Sequence, residues 1–512
     1  MKALRAVFIA VALIVMALPC ALMPVMPSTL GAENRLPAEW PSLKTDEGKF
    51  NSKYPDQYEA WLQDHVALRS VWIGLHSRLL RALGTSSQDM VVLGKGDWLF
   101  YRDMLNDYTG AEPLSENEIA RMALVLDTVD KGLRAGGSSL TVAIIPNKGS
   151  IYPEQMLDAY PRRETPSTFE QLKALSHVNF VPMYETLYAQ RDKGLYFHGD
   201  VHWNGLGARI GAQKILTALS EATGEALPSP DPEDVFELKE DWPGDLTRML
   251  DPYSTECEPQ QHYDDQFTFK YKKRPRTEED LTINTNGGKA PVNLLVLRDS
   301  FTNQMLEYFA EAAQSVAFLR AMPLPLKNGA AFDAVLLEMV ERRLPELLQA
   351  PPDMPAPAAD APEGLDTAAT VESRIELDGG RVFGALAEAP AKLTEVSLAV
   401  RSGDDVKWYA AFPVSGVETD GDSGFSAMVE NIPVGAEACV YMRGETAVRS
   451  DWTPLPVEEP VPAKAGNDSG SAAGNLADLL KQNKADESEE APADNGGSAA
   501  GNLADMLRQN RQ

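Results

Sequence analysis

The 512-residue sequence is poor in cysteine, with three, and in histidine, with six. Neither residue recurs at metal-ligand spacing, so no structural zinc or other Cys/His metal site is predicted. Cys20 lies in an apolar N-terminal run. Cys257 and Cys439 remain, enough for one disulfide at most, and they fall in parts of the chain read below as different domains. Positive charge is also scarce. Against 75 acidic residues stand 47 Lys and Arg, a net charge of −28. That balance argues against a nucleic-acid partner, which would need a basic face, and leaves a polyanionic surface that favours solubility.

What is present begins with "AVFIAVALIVMALPCALMPVM" (6–26), an apolar run of 21 residues that follows Lys2 and Arg5 and meets no charge until Glu33. Residues 1–32 read as a secretory signal or as a membrane anchor with its positive end in the cytoplasm. "TLG" and "LGA" are imperfect cleavage sites, so both readings stand. Either way the rest of the chain is expected outside the cytoplasm, periplasmic or at the cell surface.

A chain this long exceeds one hydrophobic core. Residues 33–348 mix helical and strand patterns. In "LSENEIARMALVLDTVDKGL", Ser115 and Glu118 form a capping box, and Ile119, Met122, Leu126, Val129 and Leu133 recur at helical spacing. "SLTVAIIP", "VNLLVLRDS" and "FDAVLLEMV" read as apolar strands, the last two leading into the predicted helices "FTNQMLEYFAEAA" and "ERRLPELLQ". Such alternation predicts an α/β fold with a parallel sheet whose sites lie at the C-terminal strand ends. Residues 349–369 read as a Pro/Ala linker. Residues 370–455 alternate apolar and polar between Gly/Asp turns, which predicts a small β sandwich. Residues 456–512 form an acidic tail with the composition of disorder. In it "GSAAGNLADLLKQN" (470–483) recurs as "GSAAGNLADMLRQN" (497–510), matching at twelve of fourteen positions. The copies read as a duplicated linker, or as two peptide ligands presenting Leu476, Leu479 and Leu480, and Leu503, Met506 and Leu507, to a partner.

The densest chemistry is in "FHGDVHWNGLGA" (197–208), where Asp200 precedes His202 by two residues. A histidine oriented by a carboxylate is suited to proton transfer, and it needs a nucleophile. Ser300, in "VLRDSF", ends an apolar strand and begins a helix, where its own N–H could help stabilise an oxyanion. Serine after a strand is equally an ordinary N-cap.

The order of "ENR", "FNSKYPDQYEAWLQDHVALR", "VVLGKGDWLFY", "IIPNKGSIYPE", "GDVHWNGLGA", "VLRDSF" and "VLLEMVERRL" resembles the polysaccharide O-acetyltransferases of the alginate AlgX/AlgJ family. The likeness covers residues 33–348 and implies an SGNH-hydrolase-like domain in which the Asp-x-His-Trp segment precedes the serine. It implies Ser300 as nucleophile, His202 as general base and Asp200 as its orienting carboxylate. Trp203 is expected beneath the site, Asn204 and Gly205 at the start of the next helix, and His198 at the surface or rim. Asn147 and Lys148 are candidates for completing the oxyanion hole. Arg298 stands where many relatives carry glycine, which bears on the hole more than on the nucleophile. Glu338 and Arg342 match the family's pattern and read equally as a structural salt bridge. "KYKKRPR" (270–276) is a solvated loop or a rim for an anionic polysaccharide, and the aromatics of "GDWLFY" are expected in the core.

The resemblance implies an extracytoplasmic enzyme that moves an acetyl group through Ser300 onto hydroxyls of a secreted or cell-wall polysaccharide. A membrane-bound O-acyltransferase partner would supply the acyl group, and no metal or cofactor is implied. Two rivals stand beside this: a carbohydrate esterase with the same triad and water as acceptor, and a non-catalytic polysaccharide-binding or assembly protein.

Overall fold

The computed structural model describes residues 2–23, 25, 38–45, 48–416 and 419–456. The expected cleavage sites and both tail repeats lie outside the described residues. Lys2–Leu22 is helical. Among the described residues no helix is long and apolar enough to cross a membrane. The expectation of a membrane anchor therefore gains no support here.

A two-stranded hairpin, β1 (Val91–Leu93) and β2 (Leu99–Tyr101), precedes the main sheet. That sheet comprises β3 (Ser139–Ile145), β4 (Asn179–Phe180), β7 (Lys270–Tyr271), β8 (Thr282–Asn286), β9 (Ala290–Leu297), β10 (Ala313–Leu319) and β11 (Ala334–Val340), and the intervening β5 (Phe236–Trp242) and β6 (Glu258–Tyr263) form a separate antiparallel hairpin. The strand order is β4-β3-β11-β9-β10-β8-β7, with the first five parallel and the last two added antiparallel.

The apolar runs of β3, β9 and β11 have no polar face because both sides of the sheet are covered. Alternate residues serve the two sides, as strand geometry dictates. Ile145, Leu294, Val296 and Val340 pack with helix Gly205–Thr223 and with Phe309, whereas Ile144, Leu295, Leu297 and Met339 pack with helix Glu116–Ala135. The five residues expected on the inner face of Glu116–Ala135 are buried, and its capping box is formed by Ser115 and Glu118. The fold is thus α/β, a mainly parallel sheet between helical layers.

Two of the expected helices differ. "FTNQMLEYFAEAA" begins as a 3-10 turn, Ser300–Gln304, followed by helix Leu306–Ala312, and its final alanine already starts β10. "ERRLPELLQ" is 3-10 throughout Glu341–Leu348, because Pro345 lacks the N–H and crowds the preceding turn of an α-helix.

Beyond the sheet, antiparallel strands Glu395–Ser402, Asp405–Ala410 and Glu437–Arg443 centre one sheet, and Ser373–Asp378, Arg381–Leu386 and Thr419–Met428 another. Val382, Leu398, Phe425 and Val440 fill the core between them. The segment expected as a Pro/Ala linker is not free spacer in its first half. Met354 is buried with Leu133 and Leu326, and Ala356 with the sandwich core. Asp353 N–H donates to Leu324 O at 2.9 Å, and Ala356 N–H donates to Met428 O at 2.8 Å. Composition suggested an exposed stretch, but proline-rich chain can still be tied through the residues between its prolines. Cys257 is exposed and Cys439 buried, and both thiols are free.

Candidate active site

Three parallel strands deliver the site at their C-terminal ends. β3 ends before Asn147 and Lys148, β9 before Arg298, Asp299 and Ser300, and β11 before Glu341 and Arg342. The Asp-His segment arrives from outside the sheet, on the turn that precedes helix Gly205–Thr223. Asn204 caps that helix, its Oδ1 accepting from Gly207 N–H at 3.0 Å. The glycines that follow Trp203 have a steric reason. A Cβ on Gly207 would lie 2.3 Å from Leu195 O, and one on Gly211 would lie 2.9 Å from the Trp203 ring. Trp203 is fully buried, donates from Nε1 to Phe301 O at 3.2 Å, and meets the Phe301 ring edge-on at 5.3 Å. This packing joins the histidine turn to the serine turn.

The result is a continuous hydrogen-bonded chain. His202 Nε2 lies 2.8 Å from Ser300 Oγ, and His202 Nδ1 lies 2.7 Å from Asp200 Oδ1. Asp200 is fully buried. Its Oδ1 also accepts from His202 N–H at 2.9 Å, and its Oδ2 accepts from Trp242 Nε1 at 2.9 Å and Asp245 N–H at 3.0 Å. Burial would raise the pKa of this carboxyl, but the His202 imidazole and the N–H donors outweigh it and hold Asp200 below the usual range. For His202 burial acts downward, and the Asp200 charge overcomes it, so its pKa is raised.

Asp245 adds a second carboxylate, 3.8 Å from His202 Nδ1. Desolvation beside the site and the Asp200 charge push its pKa up to about 6. Asp200, His202 and Asp245 bring donor atoms within 4.8 Å of one another, a grouping compatible with an ion. Both Asp200 oxygens and His202 Nδ1 are already engaged, so the group reads here as a hydrogen-bonded network. Asp245→Asn removes a charge that favours imidazolium. It is expected to lower the His202 pKa and move the acid limb of any His202-dependent turnover to lower pH, measurable in a pH–rate profile.

The remaining candidates separate. Asn147 donates to Glu341 Oε2 from its backbone N–H at 3.1 Å and from Nδ2 at 3.3 Å, and its Oδ1 accepts from Arg342 at 3.2 Å. Lys148 Nζ donates to Phe197 O, His198 O and Asp200 O at 3.0, 2.7 and 2.6 Å. Its three donors are spent, which corrects its expected place in an oxyanion hole. Arg298 is likewise turned away, to Asn303 Oδ1 at 2.6 Å and to the Glu278 and Asp280 carbonyls, so it too is no oxyanion donor. Its guanidinium fits because the 278–280 loop offers carbonyls where a glycine would leave a gap.

Glu338 and Arg342 do not pair with each other among the described residues. Glu338 Oε2 accepts from Asp299 N–H at 3.0 Å and Thr302 Oγ1 at 2.7 Å, and burial beside Asp299 raises its pKa well above the usual range. Arg342 sits over the Tyr101 and Phe301 rings at 5.5 and 5.8 Å. Of "GDWLFY", Leu99 and Phe100 are core, whereas Trp98 and Tyr101 are half-buried at the rim. His198 stacks on Trp98 at 4.3 Å and bonds Asp97 at 3.0 Å, a rim position. Trp242, Asp245 and Glu258 escape sequence reasoning. They lie on or beside a hairpin 40 or more residues from the Asp-His turn, and "DWPGD" signals a turn without saying what it meets.

The fold and this constellation define an SGNH-hydrolase-like α/β domain. Residues 91–305 match the family described as SGNH hydrolase-like domain, acetyltransferase AlgX, and it is this AlgX/AlgJ group of acetyltransferases that the chain resembles. It is 28% identical over 206 residues to the probable alginate O-acetylase AlgJ of Pseudomonas syringae pv. tomato, covering 39% of this chain and 51% of that protein. With the protein of the same name from Pseudomonas putida it shares 29% over 210 residues, 40% and 52% of the two chains. The chain thus spans about half the length of these curated relatives. Among solved structures, the O-acetyltransferase domain of P. putida AlgJ aligns with 50% of this chain and 92% of its own, at 23% identity and a TM-score of 0.35. Bacillus cereus PatB1 aligns with 50% and 97%, at 15% identity and a TM-score of 0.40.

Proposed function

We propose that this protein is an extracytoplasmic polysaccharide O-acetyltransferase working through an acetyl-Ser300 intermediate. The observation that carries the reading is the 2.8 Å contact between His202 Nε2 and Ser300 Oγ, with Asp200 at 2.7 Å behind the imidazole. In this reading neutral His202 takes the Ser300 proton as Oγ attacks the acetyl carbonyl. It then returns that proton to the leaving group as the tetrahedral intermediate collapses to the ester. In the second half His202 takes the proton of a sugar hydroxyl, whose oxygen attacks the acetyl-serine, and returns it to Ser300. Asp200, kept ionised, orients the ring and stabilises the imidazolium. The oxyanion donors the reading assigns are the Ser300 N–H, at the first residue of its 3-10 turn, and the second Nδ2–H of Asn147, the one not given to Glu341.

The names of the AlgJ relatives support acetyl as the group and a polysaccharide as acceptor. Lys270, Lys272, Lys273, Arg274 and Arg276 are exposed, and the loop that follows them is held by Arg298, two residues from Ser300. This basic rim on an acidic protein favours an anionic chain as acceptor. The acyl donor would be a membrane-bound O-acyltransferase.

Incubating the purified protein with a chromogenic acetyl ester, with and without uronic-acid oligosaccharides, tests the proposal. Acetylated oligosaccharide, detected by mass and dependent on Ser300, is the expected product. Acetate release that ignores the acceptor would replace transferase by esterase, and no Ser300-dependent turnover would remove both.

A further inference from the structure

Lys148 stands three residues past the end of β3 and begins the short helix Lys148–Ile151. Its side chain is buried, with Nζ 5.5 and 5.1 Å from the Trp98 and Phe100 ring centres. The three carbonyls it meets, of Phe197, His198 and Asp200, belong to the turn that carries the Asp200 carboxylate to His202. An ammonium has three N–H donors and a neutral amine has two. Three carbonyls 2.6 to 3.0 Å away therefore match the charged form, and losing the proton removes one of these three bonds from a turn in which His198 O has a second donor, Leu99 N–H at 2.9 Å.

We propose that Lys148 is a positioning residue whose ammonium clamps the 197–200 turn, aiming Asp200 at His202, and that its deprotonation releases the clamp and turns acyl transfer down. The turn's other ties are Phe197 N–H to His202 O at 3.3 Å, Leu99 N–H to His198 O at 2.9 Å, Thr247 N–H to Gly199 O at 3.0 Å, the His198 and Gly199 N–H donors to Glu258, the latter at 2.7 Å, and the Asp200 side-chain contacts already described. Lys148 is the group that gathers three of its carbonyls at one point. The groups facing Lys148 are Asp97 from the β1–β2 turn, Asp200 from its own target turn and Glu258 from β6, with His198 presenting its carbonyl. Burial pushes the Lys148 pKa down from 10.5 to about 7, against the upward pull of Asp200, Glu258 and Asp97. The clamp thus titrates near neutrality.

The inference rests on the proposed Ser300 reaction, and its test separates the two. Ser300-dependent turnover should rise with pH as His202 loses its proton, then fall above about pH 7 as Lys148 loses its own. Stability should move the other way. The unfolded chain keeps its lysine protonated to higher pH, so it binds more protons than the folded one between about pH 7 and pH 10, and stability rises across that window. A merely structural lysine would give the same rise in stability without the alkaline fall in turnover.

Lys148→Met should cut turnover by about tenfold or more and abolish the alkaline fall. Lys148→Arg, permanently charged, should restore part of the rate and also lack the fall. An alkaline limb unchanged in the Met and Arg variants would overturn the proposal. Where the Met variant fails to fold, titration of ε-13C-labelled lysine in the wild-type protein decides. A Lys148 signal that stays charged to about pH 10 rules the clamp out, whereas one that titrates near neutrality together with the amide signals of 197–200 supports it. That measurement needs no turnover, so it stands even if Ser300 proves inert.

Discussion

Ser300→Ala is expected to lower acetyl turnover by roughly 10⁴-fold or more while leaving the fold unchanged. Ser300 is half-buried, and its hydroxyl bonds only His202 among the contacts described above, so removing it opens no sizeable cavity. His202→Ala should cost about as much, and the double variant little more, because members of one triad act as a unit. Asp200 calls for a gentler change. Its two oxygens accept from His202, Trp242 and Asp245, so alanine would unseat three elements at once. Asp200→Asn keeps the shape but can turn an N–H donor toward His202 Nδ1 and favour the wrong tautomer, an expected loss of about 10³ to 10⁴. Single-turnover release of chromophore from an acetyl ester, followed with circular dichroism on the same samples, measures both halves. Near-wild-type turnover in Ser300→Ala would remove Ser300 as nucleophile.

Trp203→Ala is the substitution expected to cost the fold most. The indole is fully buried between helix Gly205–Thr223 and the serine turn, with Gly211 bare beneath it and Phe301 edge-on. Deleting it empties the largest of the fully buried side-chain volumes and strips the Phe301 carbonyl of its Nε1 donor. A destabilisation of about 3–5 kcal/mol is expected, read as a lower midpoint in urea at unchanged slope. Turnover should fall as well, since Phe301 adjoins Ser300. Trp203→Phe, which keeps most of the apolar volume and loses the hydrogen bond, should cost visibly less. A loss below about 1 kcal/mol in Trp203→Ala would mean that the histidine and serine turns are held together some other way.

Much of the architecture is legible because its signals are local. The capping box of Ser115 and Glu118 and the spacing of Ile119 to Leu133 declare a helix within twenty residues, and the uninterrupted apolar runs of β3, β9 and β11 declare strands covered on both faces. What misleads is also local. The helix read into "ERRLPELLQ" ignores what Pro345 does to the turn before it, and the composition of the 349–369 segment says nothing of Met354, which reaches a core that includes Leu133 and other residues some two hundred positions earlier.

By itself the sequence determined the types of residue that meet at the site, Asp200, His202 and Ser300, together with the glycines that let Trp203 sink beneath them. Those follow from short-range pattern and from likeness to other chains. Only the tertiary structure decided what each neighbour does. Lys148 and Arg298 are cations next to the serine and histidine turns in sequence or in sheet order, and either would suit an oxyanion. Lys148 instead spends its donors on carbonyls 49 to 52 residues away, and Arg298 turns to Asn303 and to carbonyls 18 and 20 residues back. Asp245 and Trp242, invisible in the sequence as site residues, lean on Asp200 from a separate hairpin and helix. The physical reason is that a buried charged or polar group must find partners once water is removed. Which partners lie within 3 Å is set by how the strand ends, the hairpin and the turns pack, not by anything written beside the residue in the chain.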